Sequence, residues 1–170
     1  MRTNITSAKR KRIDESLPGL KRLIANDEAF LASGVYQKVA VSVFDHWLSE
    51  TEASELIPVD DDLAEIKNRR ATFKAYVKGL NELTDLYSWR YKRHNRFHIQ
   101  KPSSVDDILR MCDFGNLWSA SGRRYGFLMP EFSAVFIEEW DWTNVLWYRD
   151  KDAVTPLLEL AKRVGLFVLE

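Results

Sequence analysis

Hydrophobic positions along the first half of the chain recur mostly every three or four residues, the period of a helix buried along one face. Leu17, Leu20, Leu23, Ile24 and Leu31 keep this spacing, with Pro18 near the start, where a missing N–H costs nothing. In "SGVYQKVAVSVFDHWLS" the residues Tyr36, Val39, Ala40, Val43, Phe44 and Trp47 fall on one helical face, which predicts a second helix. A long third helix follows, with Pro58, Asp60, Asp61 and Asp62 at its start, where caps and negative charge are favoured. Leu63, Ile66, Phe73, Val77, Leu80 and Leu83 form its apolar stripe; Lys67, Arg69, Arg70, Lys74 and Lys78 fall mostly off it, and it should end near Thr84 to Tyr87.

The pattern changes in the second half. A short helix is expected around Val105 to Met111, then two apolar arms about Ser121-Gly122 in "NLWSASGRRYGFLM", which suggests a hairpin. "EFSAVFIEEW" and "NVLWY" are rich in β-branched and aromatic residues, as strands are, and "DWTN" between them suits a tight turn. Asp152 or Thr155 as cap, Val154, Leu157, Leu158, Ala161 and Val164 as a face, and Gly165 as stop predict a last helix, and "LFVL" a last strand. The expected fold is α+β: N-terminal helices packed on a C-terminal antiparallel or mixed sheet of about four to five strands, ending β-α-β, with the final strand inside the sheet beside one that it parallels. The expected organisation is a basic N-terminal arm at 1–15 and a single domain at 16–170, with a helical half at 16–87 and a sheet-rich half at 88–170.

If "DWTN" is the turn, Trp140 faces Val145, Glu138 faces Trp147 and Ile137 faces Tyr148. Val135, Ile137, Leu146 and Tyr148 then share one side, and Phe136, Glu138, Trp140, Val145 and Trp147 the other. Both sides are apolar, so both need cover. Either the N-terminal helices supply it, or part of the hairpin is an aromatic contact surface rimmed by Glu138, Glu139 and Asp141. Trp142, at the turn, is the candidate for an exposed anchor. The protein-binding set is therefore Glu138, Glu139, Trp140, Asp141, Trp142 and Trp147.

Composition bounds the chain without naming a chemistry. It has 170 residues, 45% of them hydrophobic, enough for a sizeable core without metals or disulfides. Cys112 is its only cysteine, so no internal disulfide forms, and a reducing, cytoplasmic setting is expected. No secretory signal and no membrane-length apolar run is read. Basic and acidic residues balance at 25 each, but in blocks: residues 25–66 hold one basic and ten acidic groups, and residues 67–101 ten and two.

"WRYKRHNRFHIQK" interleaves Arg90, Lys92, Arg93, Arg96 and Lys101 with Trp89, Tyr91, His94, Phe97 and His98, the residue types of a nucleic-acid groove. Arg123 and Arg124 at the expected hairpin tip would extend it. The alternative is a strand or connection whose charges are solvated or paired with the acidic block. His94 and His98 have a spacing that shares a face in a helix or a strand, but no glutamate follows the first and no third ligand is indicated, so no metal is assigned. Cys112 reads as a buried thiol and His46 as structural. "DFG" at Asp113 to Gly115 lacks every other kinase element, and no phosphate loop, dinucleotide turn or nucleophile elbow occurs. No cofactor is implied. The expected function is a non-enzymatic protein-binding domain of inhibitor, immunity-type or adaptor kind; nucleic-acid binding through the basic segment is the alternative, and an enzyme using His94 or His98 comes third.

Overall fold

The computed structural model describes residues 2–57, 63–92, 96–112, 125–139 and 141–170. Its strands are β1 (Arg2–Asn4), β2 (Gln37–Ser42), β3 (Ser88–Lys92), β4 (Arg96–Pro102), β5 (Gly126–Met129), β6 (Ala134–Ile137), β7 (Thr143–Tyr148) and β8 (Phe167–Leu169). Its helices are α1 (Ser7–Ser16), α2 (Leu20–Ile24), α3 (Glu28–Leu31), α4 (Glu50–Leu56), α5 (Leu63–Leu83), α6 (Val105–Met111) and α7 (Lys151–Arg163). The architecture is α+β, with helices mostly early and strands mostly late.

Five strands form an antiparallel sheet in the order β5-β6-β7-β2-β8, and three more form a second in the order β1-β4-β3. An antiparallel bridge between Tyr87 and Leu128 joins the edges of the two, with N–H to O=C distances of 3.0 and 2.7 Å. Side chains alternate along each strand, so the ribbon has two faces. On one, Val39, Val41, Phe127, Met129, Ala134, Phe136, Leu146 and Tyr148 pack under Phe73, Tyr76 and Leu80 of α5, Ile108 of α6, and Leu157 and Ala161 of α7. On the other, Leu128, Val135, Tyr87 and Ile99 pack under Ile13 and Leu17, Leu20 and Leu23, and Phe30, from α1 to α3. Helices therefore cover both sides of the sheet. Gly79 lets α5 approach α7, since a Cβ there would lie 2.7 Å from a Leu160 methyl.

The second expected helix is a strand. Residues 37–42 form β2 between β7 and β8, pairing Val39 with Leu146 and Val41 with Val168. A central strand buried on both faces loses the polar alternation that would reveal it, and its Val and Ala positions then mimic helical spacing. The first expected helix, around Leu17 to Leu31, is two short ones, α2 and α3, with Gly19 before the first and Asn26 between them, both with positive φ. The final strand is correctly placed at β8, but it lies at the sheet edge antiparallel to β2, with β2 between it and the parallel β7. The N-terminal segment read as an arm is built into the fold, β1 pairing with β4 and α1 burying Ile13. Residues 58–62 at the expected start of the third helix, and the expected hairpin's first arm and tip with Arg123 and Arg124, lie outside the described residues.

Candidate functional site

The β6–β7 register differs from the one expected. Ile137 pairs with Val145, Phe136 with Leu146, Val135 with Trp147 and Ala134 with Tyr148. This offset of three residues reverses which partners share a side. Val135 and Ile137 sit with Val145 and Trp147, while Phe136 sits with Leu146 and Tyr148 under α5 and α7. The cause is a wider connection than "DWTN". The Glu138 N–H donates to the Tyr125 carbonyl, the Glu139 N–H donates to the Asn144 side-chain oxygen, and the Thr143 N–H donates to Asp141 Oδ1. Trp142 turns the chain with φ 59°.

That turn sends Trp142 inward. It is 3% exposed, against the expectation of an exposed anchor, and the Arg69 guanidinium lies 5.6 Å from its ring and 5.1 Å from that of Phe44. Arg69 is itself buried, donating to Glu65 Oε1 and to the Leu56 carbonyl, so it ties α4 to α5. Indole and guanidinium together complete the core at the connection.

The opposite side of the hairpin stays partly open. Beyond the edge of α2 lies a groove of about 630 Å³ lined by Leu23, Ile24, Asn26, Lys38, Trp47, Trp89, Ile137, Glu139, Asp141, Thr143, Val145 and Trp147. Its floor is the sheet: Ile137, Val145 and Trp147 alternate onto this face, with Trp89 beside them. Carried two residues along the strands, the Tyr87–Leu128 bridge sets Trp89 opposite Gly126. The indole occupies the space a side chain would need, since a Cβ on Gly126 would lie 2.0 Å from the Trp89 ring. Gly126 is thus what lets Trp89 lie against the sheet.

Trp47 forms the wall. It is 59% exposed, and its indole N–H donates to the Glu170 carbonyl at 3.2 Å. The segment that carries it is fixed from both sides. His46 Nδ1 lies 2.5 Å from Asp45 Oδ1 and Nε2 lies 3.2 Å from Glu52 Oε1, while Ser49 and Glu52 cap α4 reciprocally. These carboxylates favour the protonated imidazole and raise the His46 pKa, Asp45 contributing most. The Glu52 carboxyl is held at about 2, chiefly by hydrogen bonds from the Ser49 hydroxyl and N–H, then by His46.

Lys38, on β2, reaches across to Trp147 with Nζ 5.6 Å from the ring centroid, inside cation–π range. Glu139 and Asp141 line the groove near the hairpin connection, positioned by Asn144 and Thr143 as described. Asn144 is buried and its side-chain N–H also donates to the Tyr125 hydroxyl at 3.3 Å, whereas the buried Trp142 indole N–H has no hydrogen-bond partner among the described residues.

Comparison with family models, curated proteins and solved structures gave no match. Geometry alone carries the functional reading.

Of the expected protein-binding residues, the structure brings Glu139, Asp141 and Trp147 together in the groove. Glu138 is half-buried and accepts the Tyr125 N–H, Trp142 is in the core, and Trp140 lies outside the described residues. Trp47 and Lys38 were not anticipated. Helical spacing places Trp47 on a buried stripe, and the signal against that is an indole directly following the polar pair Asp45-His46.

The basic segment is the β3–β4 hairpin, whose alternation puts Arg90, Arg96 and His98 on one side and Trp89, Tyr91 and Phe97 on the other. Arg90 faces His98 on the first side, while Trp89 faces Ile99 and Tyr91 faces Phe97 on the second. Lys101 pairs with Asp85 at 2.6 Å. Arg93 and His94 lie outside the described residues. Phe97 already carries Arg10 and Lys21 near its ring, at 5.7 and 5.9 Å, and lines a cleft between α1 and β4 in which Arg10 also pairs with Asp14. Cys112 is buried, donates to the Ile108 carbonyl, and has its pKa pushed up by burial. Among the described residues no group of three or more His, Cys, Asp or Glu side chains assembles to hold a metal, and no helix is long and apolar enough to cross a membrane.

Proposed function

We propose that the protein is a non-enzymatic protein-binding domain, of inhibitor, immunity-type or adaptor kind, that engages another protein through the tryptophan groove. The observation that carries this is the convergence of Trp47, Trp89 and Trp147, from three separate parts of the chain, on one open groove beside Glu139 and Asp141. Indoles supply large, rigid contact area and dominate binding hot spots, and a polar rim around an apolar centre is the anatomy of an interface. A monomer with no partner gains nothing by leaving Trp47 in water, since the hydrophobic effect favours its burial. A single cysteine, held as a buried thiol, fits a cytoplasmic setting.

The basic hairpin supports nucleic-acid binding less well. Alternation puts Arg90 and Arg96 of the hairpin on the side away from Tyr91 and Phe97, and the cations that lie beside Phe97, Arg10 and Lys21, come from α1 and α2 instead.

The test is affinity capture from the native host with wild-type, Trp47→Ala and Trp147→Ala baits, followed by reconstitution with the purified partner. The expected result is a protein that binds wild type and Arg90→Ala/Arg96→Ala alike, and is lost with either tryptophan variant. A nuclease-sensitive partner that needs Arg90 and Arg96 and ignores both tryptophans would overturn the reading.

A further inference from the structure

The ring-bearing side of the β3–β4 hairpin receives its positive charge from other elements. We infer that this side, together with α1 and α2, is a second binding surface, for single-stranded nucleic acid, on which Tyr91 stacks a base while Lys21 and Arg10 take the adjoining phosphate. The clefts beside it share no lining residue with the tryptophan groove, so the two surfaces are tested separately.

Phe97 is the centre of this surface. Arg10 of α1 and Lys21 of α2 lie 5.7 and 5.9 Å from its ring centroid, so the rings and cations that alternation separates within the hairpin meet here across elements. Two clefts, of about 630 and 330 Å³, are both lined by Arg10, Asp14 and Phe97, and they adjoin at these residues, which gives a strand room to cross. In the smaller cleft Arg10, Lys21 and Arg22 face the single carboxylate of Asp14. Asp14 pairs with Arg10 and Asp27 with Arg22, both at 2.9 Å, whereas Lys21 pairs with no carboxylate among the described residues. Lys21 is therefore the surplus cation of the cleft. The Arg10–Asp14 pair is exposed, and pairs of that kind are weak, so Arg10 can turn from Asp14 to a phosphate.

Tyr91 supplies the stacking platform. Its ring is 45% exposed and meets Phe97 edge-on, with centroids 5.4 Å apart and an interplanar angle of 60°, which sets its orientation without covering it. The face of an aromatic ring carries negative charge density, so it repels a carboxylate and accepts another flat ring in an offset stack. An acidic peptide would use Lys21 and leave Tyr91 idle. A single strand alternates flat bases with phosphates and so uses both. A duplex keeps its base faces inside the stack and offers Tyr91 nothing.

The probes are a fluorescein-labelled oligodeoxythymidine of about 12 nucleotides, an abasic strand of equal length and a polyglutamate peptide of equal charge, titrated with the full chain and read by fluorescence anisotropy. The thymidine strand is expected to bind with a Kd of about 10⁻⁵ M at low salt, about tenfold more tightly than either of the others. Tyr91→Leu should remove that advantage and Tyr91→Phe should keep it. Lys21→Ala should weaken binding by about threefold and flatten the salt dependence by about 0.7 in log–log slope. Asp14→Asn, which releases Arg10, should tighten binding and steepen that slope, an effect that unfolding cannot produce. No binding of the thymidine strand, equal binding of the abasic strand or the peptide, or an unchanged affinity in Tyr91→Leu or Lys21→Ala would each overturn the inference. Trp47→Ala should bind the strand as wild type does, so the protein-binding reading of the tryptophan groove fails or holds on other variants.

Discussion

At the scale of single residues, four tryptophans divide into two roles that composition does not distinguish. Trp142 is a core residue in a left-handed backbone conformation, packed on Arg69. Trp142→Ala should cost about 3–5 kcal/mol, as removal of a buried aromatic does, while any binding by the folded fraction survives. Trp47→Ala should change stability by no more than about 0.5 kcal/mol, because that ring is mostly in water. Chemical denaturation of the two variants checks both. Gly126→Ala makes the opposite error, adding an atom where Trp89 already lies and 2.8 Å from the Phe136 carbonyl. The expected cost is about 1–3 kcal/mol, together with a displaced Trp89 indole signal. The sequence identified the tryptophan-rich hairpin as the place to look, and it contributes Glu139, Asp141 and Trp147 to the groove. It could not show which indoles faced out, because that depends on register, and a connection slipped by an odd number of residues exchanges the two sides.

At the scale of elements, local signals were readable where an element buries only one face. The α6 and α7 helices each carry an apolar stripe and stand where periodicity places them, although α7 is capped by Asp150 and the expected caps Asp152 and Thr155 lie inside it. The β2 strand was hidden, because Val39, Ala40, Val41 and Ser42 are all buried and show no alternation. The α4 helix with the turn before it is the element that sets Trp47, and it is sensitive to pH. Hydrogen bonds to Asp45 and Glu52 raise the folded-state pKa of His46 above its ordinary 6.5. A raised pKa means that this contribution is fully present below the unfolded value and is lost as pH rises through the folded one. The His46 ring should therefore titrate above 6.5 by NMR, Asp45→Asn should lower its midpoint, and the Trp47 signal should follow the same transition. Ser49→Ala should remove about 1 kcal/mol through the lost cap, measured by denaturation.

At the scale of the whole molecule, the two halves of the chain share one sheet. The β2 strand comes from residues 37–42, yet its neighbours are 143–148 and 167–169, so neither half can complete the five-stranded sheet alone. Far-UV circular dichroism and tryptophan fluorescence should therefore report one coincident unfolding transition, and fragments 1–87 and 88–170 should not fold separately. The same layering explains the groove. Helices α5 to α7 cover one face of the sheet, while α1 to α3 cover only part of the other, and the tryptophans line the margin where that cover ends. Selective broadening of the indole N–H signals by a soluble gadolinium chelate tests this arrangement most directly. Trp47 should broaden most, Trp89 and Trp147 to an intermediate degree, and Trp142 hardly at all; a Trp142 signal broadened as strongly as that of Trp47 would contradict an open groove backed by a buried turn.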